Sequence, residues 1–249
     1  MLRRRWLYGL LLALSMSNAA SGQSLIADLS KHLIAITTAF TGAEVLLFGS
    51  VEEPGGDVVV LVFGPTEDLR VRRKSRVGPF WFNTDEMRFR RVPGFYAVAS
   101  SKPLELLAEE DVLQRYQIGV ERLHLEARPD RHQSKADVAA FRAALIRNKQ
   151  RQKLYVQSPI PVYFLGKRLF RTVVPFPANV APGNYQVQTL YLRGGRVVQA
   201  QSNVLVVSKV GLEADIFDLA RRRPAIYGLS SILIAVAAGW TASLVFARR

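Results

Sequence analysis

The sequence predicts a mainly β protein: one or two immunoglobulin-like β-sandwich regions with a helical segment between them, closed by a C-terminal transmembrane helix. Three observations carry that reading. Runs of β-branched and aromatic residues recur between turn signals such as Pro54-Gly55-Gly56, Gly64-Pro65, Pro93-Gly94, Pro182-Gly183 and Gly194-Gly195. A polar stretch with helical spacing separates two such β-rich regions. The chain then closes on an uncharged run, Ala225 to Ala247, bracketed by arginines.

Residues 1–22 have the three parts of a signal peptide. Arg3, Arg4 and Arg5 supply the charge, Trp6 to Met16 the apolar run, and Ser17, Ala19, Ala20, Ser21 and Gly22 the small residues that a peptidase requires. The apolar run is short for a hydrocarbon layer of ~30 Å, which favours cleavage over an uncleaved anchor. In either form the arginines stay inside and the chain that follows is exported.

Residues 23–102 form the first β-sandwich region, with strands expected over Ala43–Val51, Asp57–Phe63, Arg70–Val77, Phe80–Asn83 and Gly94–Ser100. Residues 103–155 form the helical segment. Ser134-Lys135-Ala136-Asp137 opens its main helix as a variant capping box, and Val138, Phe141 and Leu145 fall on one face. Arg147, Lys149, Arg151 and Lys153 crowd its last turns. They read as a solvated face complementing the helix dipole or as a surface resting on anionic lipid. Residues 156–210 form the second β-sandwich region, with strands over Val156–Leu165, Leu169–Val174, Asn184–Leu192, Arg196–Ala200 and Val204–Ser208. The segment Val92 to Val98 echoes Ala181 to Val187, which leaves internal duplication open.

Residues 211–224 are juxtamembrane, 225–247 the transmembrane helix and 248–249 a cytoplasmic tail. The span would rise ~33 Å, enough to cross a bilayer with some tilt. Three arginines precede it and two follow, which taken alone would turn the body toward the cytoplasm. The export signal overrides that balance. The expected location is the inner membrane, single pass, with the body in the periplasm and the C-terminus in the cytoplasm.

The chain has no cysteine, so disulfide frameworks, thiolate metal sites and cysteine nucleophiles are excluded. Its net charge of +14 loses three charges with the signal and five with the arginines flanking the span, leaving a mildly basic body of +6. No nucleic-acid motif accompanies that charge, so no nucleic-acid partner is expected. His32, His124 and His132 are too scattered for a ligand set, and no nucleophile elbow, P-loop or dinucleotide fingerprint is present. No catalytic residue, metal site or cofactor is therefore assigned, and an enzyme is the less favoured reading.

One segment is anomalous. If Arg70–Val77 is a strand, Arg70, Arg72, Lys74 and Arg76 share a face and Arg73 points the other way or marks a bulge. Such a row of cations repels itself unless carboxylates, lipid headgroups or an anionic ligand neutralise it, and Trp81 and Phe80 could wall an anion site. A charged edge strand protected from aggregation is the ordinary alternative. In the span, Ser231, Ala235, Gly239 and Ser243 recur every four residues and make a ridge of small side chains. Such a ridge suits packing against a membrane protein partner or a second copy of the chain, and Trp240 lies well inside the span rather than at its edge.

Together these residues resemble the family named putative alphaproteobacterial transmembrane proteins. The resemblance rests on Leu25 to Ser30, Ile36 to Ala43, Leu47-Phe48-Gly49, Gly64-Pro65, Arg72-Arg73-Lys74, Trp81-Phe82-Asn83, Phe95 to Ser100, and Tyr227-Gly228 with Gly239-Trp240 in the span. It implies a single-span periplasmic protein associated with permeases of the sulfite/sulfonate exporter type, hence an accessory or interaction role. A periplasmic small-anion-binding protein or enzyme using Arg72–Lys74 is the alternative. The resemblance supplies no catalytic residues.

Overall fold

The computed structural model describes residues 25–129, 132–211 and 219–246; the expected signal peptide, the cytoplasmic tail and part of the juxtamembrane segment lie outside them. Among the described residues the protein is mainly β, with three sheets and one long C-terminal apolar helix.

The first sheet has four strands in the order β1 (Leu25–Leu29), β3 (Gly42–Val51), β11 (Leu169–Pro177) and β10 (Tyr163–Leu165). Its strands bury every second residue: Leu25, Ala27 and Leu29 in β1, and Phe170, Thr172, Val174 and Phe176 in β11. That alternation is the signature of a sheet with one face on the core. The second sheet has six strands, ordered β2 (Leu33–Ile36), β13 (Arg196–Lys209), β12 (Gly183–Arg193), β4 (Asp57–Phe63), β7 (Tyr96–Ser100) and β9 (Ile160–Pro161). Its centre reads differently, because Val58 to Val62 and all of β7 are buried without alternation. Both faces of this sheet are therefore covered.

On one face Phe176 of β11 stacks on Phe95 at 4.9 Å between ring centroids. On the other, Tyr96 Oη donates to the Gln117 carbonyl at 2.6 Å and accepts from Gly119 N at 2.8 Å, tying the sheet to the helical segment. Strands from before and after that segment lie side by side in both sheets and share one core. The echoed tyrosines differ in setting. Tyr96 faces the helical segment, whereas Tyr185 packs on Phe95 and Phe176 beneath the first sheet.

The segment between the β-regions holds α1 (Glu110–Arg115), two short 3-10 turns and α2 (Lys135–Arg151). The capping box at α2 is complete: Ser134 Oγ accepts from Asp137 N, and the Asp137 carboxylate accepts from Ser134 N. Phe141 and Leu145 are buried as expected, with Val138 partly so. Lys149 departs from the reading as a solvated or lipid-facing cation, since it is 7% exposed. Its stem follows the apolar face of α2 and its ammonium meets a carboxylate.

Other departures have local causes. β1 and β2, which were not expected, are only five and four residues long. Val156–Leu165 splits into β9 and β10, because Pro159 and Pro161 cannot donate to a ladder. The strands expected over Arg196–Ala200 and Val204–Ser208 are one strand, β13. The polar residues between them read as a break but bridge the two sheets. Gln201 accepts from Ala27 N and donates to Ala27 O, both at 2.8 Å, so its amide stands in for a neighbouring strand.

The last helix, α3 (Pro224–Phe246), is long and apolar enough to cross a membrane: Pro224–Ser243 has a mean hydropathy of 1.6 and none of it is buried against the rest of the chain.

Candidate functional site

The third sheet holds β5 (Thr66–Val77), β6 (Phe80–Pro93) and β8 (Glu126–Arg128). β5 and β6 make a long antiparallel ribbon, closed by Gly78 with φ +63°, a value that suits glycine. β6 runs ten residues beyond the expected end at Asn83, and β8 lies in a segment read as helical.

Alternation divides the ribbon into two faces. Leu69 and Val71 pair with Phe89 and Met87, and these four pack toward the core. Arg70, Arg72, Lys74 and Arg76 all lie on the opposite, exposed face, with Arg73 on the inner one. Register then adds residues that reading β5 alone does not reveal. Arg70 sits opposite Arg88, which sits opposite Arg128 of β8; Arg72 faces Glu86, Lys74 faces Asn83, and Arg76 faces Trp81. With Arg90, the outer face carries seven cations.

Few carboxylates answer them. Glu86 lies between Arg72 and Arg88, with Nε–O distances of 3.5 and 3.7 Å, and Asp68 is 3.8 Å from Arg90 Nε. Arg76 Nε donates to the Gly78 carbonyl at 3.1 Å. Asp68, Arg70, Glu86, Arg88, Arg90 and Arg128 line an open groove of about 710 Å³. Planar guanidinium groups converge here on one concavity, an arrangement that can bind an anion chemically.

Arg73 leaves this set. Its guanidinium lies 3.3 Å from Asp137 Oδ1 and stands over the Phe141 ring, 4.7 Å from the centroid, which pins the ribbon to the start of α2. Hydrogen bonds from Ser134, reinforced by Arg73, hold the Asp137 carboxyl below its ordinary range. A register shift after Arg73 leaves Thr84 unpaired on β6, so a bulge stands beside the residue that turns inward.

Two further contacts fix the ribbon's base. Lys149 Nζ lies 2.5 Å from Glu67 Oε1, and Tyr155 Oη donates to the Pro93 carbonyl at 2.8 Å. Arg91 adopts φ +51° at a second bulge, where its N–H donates to Asp68 and its guanidinium pairs with Glu126. The tip is apolar and bare: Phe80, Trp81 and Phe82 are 65%, 67% and 52% exposed. Trp81 shares the cation face. Phe80 and Phe82 lie on the other, 6.4 Å apart edge to face.

Arg88, Arg90, Arg128 and Phe82 were not among the candidate residues read from the sequence. The alternation Met87-Arg88-Phe89-Arg90 was the signal for the first two; for Arg128, in a three-residue strand, there was none.

A second cavity, about 580 Å³, is lined by Ser100, Lys102, Glu105, Gly119 and Arg122. Arg122 holds Glu110 by Nη2 and Nε at 2.7 and 2.9 Å, which lowers the carboxyl and raises the guanidinium. Burial pushes the Tyr96 and Tyr155 hydroxyls well above their ordinary range and Tyr185 up to about 12. All three donate to backbone carbonyls, an architectural use.

In α3 the four ridge residues Ser231, Ala235, Gly239 and Ser243 are exposed, as is Trp240. Ser231 Oγ already donates to the Tyr227 carbonyl at 2.8 Å, leaving only acceptor capacity for a neighbour.

No curated protein and no solved structure matches this chain. A family model described as "Putative transmembrane protein (Alph_Pro_TM)" matches residues 24–248. That match runs through both packed sheets, the ribbon and the apolar helix, and the chain belongs to this family.

Proposed function

We propose that the protein is a non-catalytic interaction module: a periplasmic β body, tethered to the inner membrane by α3 with its C-terminus in the cytoplasm, serving as accessory to a multi-span anion exporter of the sulfite/sulfonate type. The supporting observation is where the exposed apolar and cationic surface lies. The β5–β6 ribbon exposes three aromatic residues beside seven cations, α3 is apolar and bare, and the outer face of the first sheet adds Ile26, Phe48, Tyr163, Leu165 and Leu169, while the body's most perturbed titratable groups are spent on bonds to its own backbone. Surfaces of that kind recognise partners.

Reporter fusions within residues 105–153 test the placement, with periplasmic activity expected and cytoplasmic activity overturning it. Gly239→Leu tests the partner. It should reduce co-purification with the exporter, whereas Leu233→Ala on another face should not. Equal behaviour of the two variants would leave α3 an anchor only.

The arginine groove favours a second reading, recognition of a small free anion. Sulfite, sulfate or a sulfonate at a hundredfold excess over its dissociation constant would then stabilise the protein by about 2.7 kcal/mol. No shift in melting temperature with any of the three excludes this reading.

A further inference from the structure

Resting on the tethered reading, we infer that the β5–β6 ribbon is a membrane-contacting arm: its aromatic tip enters the interfacial zone of the bilayer while Lys74 and Arg76 bind anionic lipid headgroups.

The tip carries aromatic rings on both faces, Trp81 on one and Phe80 with Phe82 on the other, each at least half exposed. A flat docking surface would cover only one of these faces. A medium that surrounds the tip covers both, and aromatic side chains favour the interfacial layer of a membrane. Cations stand where headgroups would be. Arg76 is level with Trp81 and Lys74 is two residues behind, a rise of about 7 Å along the strand. That spacing fits a peripheral element sunk ~5–10 Å into the headgroup boundary. Among the described residues neither cation is in an ion pair, unlike Arg72 and Arg73 further down the same strand.

Reach is sufficient. Residues 210–223 join β13 to α3, so at ~3.5 Å per residue the end of β13 stays within ~50 Å of the helix. The twelve residues of β5 extend about 40 Å. The contact would give the body a second attachment to the bilayer and fix its orientation there.

The test uses full-length single-tryptophan chains in vesicles containing bromine-labelled lipid. In one chain Trp6 and Trp240 are replaced by Phe; in the other Trp6 and Trp81 are. The vesicles are phosphatidylcholine alone, or two parts phosphatidylcholine to one part phosphatidylglycerol. In the mixed vesicles Trp81 emission should shift to the blue and be quenched. Lys74→Gln with Arg76→Gln should lower the ratio of inserted to free tips about 30-fold, about fivefold per cation.

Trp240 separates the two levels of the argument. If it is quenched while Trp81 stays water-exposed in both vesicles, the tether stands and the arm is refuted. If Trp240 is not quenched, the tether itself fails. Equal Trp81 quenching in pure phosphatidylcholine, unaffected by the double substitution, refutes the anionic headgroup. Shielding of Trp81 in native membranes but not in these vesicles refutes the lipid in favour of a protein partner.

Discussion

The ribbon's orientation depends on its base, and the Lys149–Glu67 pair there makes a quantitative prediction. Lys149 is 8% exposed at its side chain and Glu67 is 48% exposed, with 2.5 Å between Nζ and Oε1. Truncating one partner of a fully buried pair costs 3–5 kcal/mol as a rule, because a charge is left without compensation. Here the pair borders an open groove of about 470 Å³, so water reaches the ammonium once the carboxylate is gone. Glu67→Ala should therefore cost less, about 1–2 kcal/mol, since exposed pairs contribute only ~0–1. In a domain of this size that lowers the melting temperature by ~2–8 °C. Lys149→Met removes the buried charge, keeps an unbranched stem beside Leu145 in the groove lining, and leaves Glu67 to solvent. It should change stability by less than ~0.5 kcal/mol, and adding Glu67→Ala to it should cost little more. Thermal unfolding of the full-length chain in detergent, followed by circular dichroism, measures all three. A larger loss from Lys149→Met than from Glu67→Ala would refute the reasoning, because the penalty would then lie in lost attraction rather than in an orphaned charge.

Tyr96→Phe strands both the Gln117 carbonyl and the Gly119 amide in the interior; it should cost about 2–4 kcal/mol and lower the urea midpoint without changing the slope. Ser134→Ala should cost about 1 kcal/mol by removing the cap of α2. Asp137 has a folded pKa below its ordinary value, so its contribution is present above that value and lost as pH falls through the folded one; Asp137→Asn should flatten the acid limb of stability against pH. Tyr185 has a folded pKa of about 12, so its contribution is complete below pH 10 and lost between there and 12, and Tyr185→Phe should flatten that alkaline limb.

Much of the fold was legible because a strand's pattern is local. Val58–Phe63 is a continuous apolar run, and the strand expected over Asp57–Phe63 forms with those same bounds. The capping box at Ser134 and the face of Phe141 and Leu145 are set within a few residues of chain, and they fold as read. What was not legible depends on distant partners. Gln201-Ser202-Asn203 is a polar break by composition, and only the approach of Ala27, 174 residues away, makes Gln201 a strand residue. Lys149 looks like one of four solvated cations until Glu67, 82 residues away, is brought beside it. Periodicity assigns a side chain to a face and does not say what stands opposite that face.

The candidate site divides along the same line. Period two placed Arg70, Arg72, Lys74 and Arg76 together and Arg73 apart, but it could not show that Arg88 and Arg128 complete a cross-strand row with Arg70. That row bears on function. Like charges directly opposite one another in a sheet destabilise it, and Glu86 alone, shared between Arg72 and Arg88, cannot neutralise three guanidinium groups. The face is exposed, so packing does not demand arginine at any of these positions, and uncharged β-formers would hold the ribbon at least as well. A small anion held in the groove, the second reading proposed above, would offset that repulsion, whereas the tip cations Lys74 and Arg76 stand four and six residues beyond Arg70 along β5. On this account the folded body carries the unfavourable charge row as a standing cost, which an anion bound in the groove would lower.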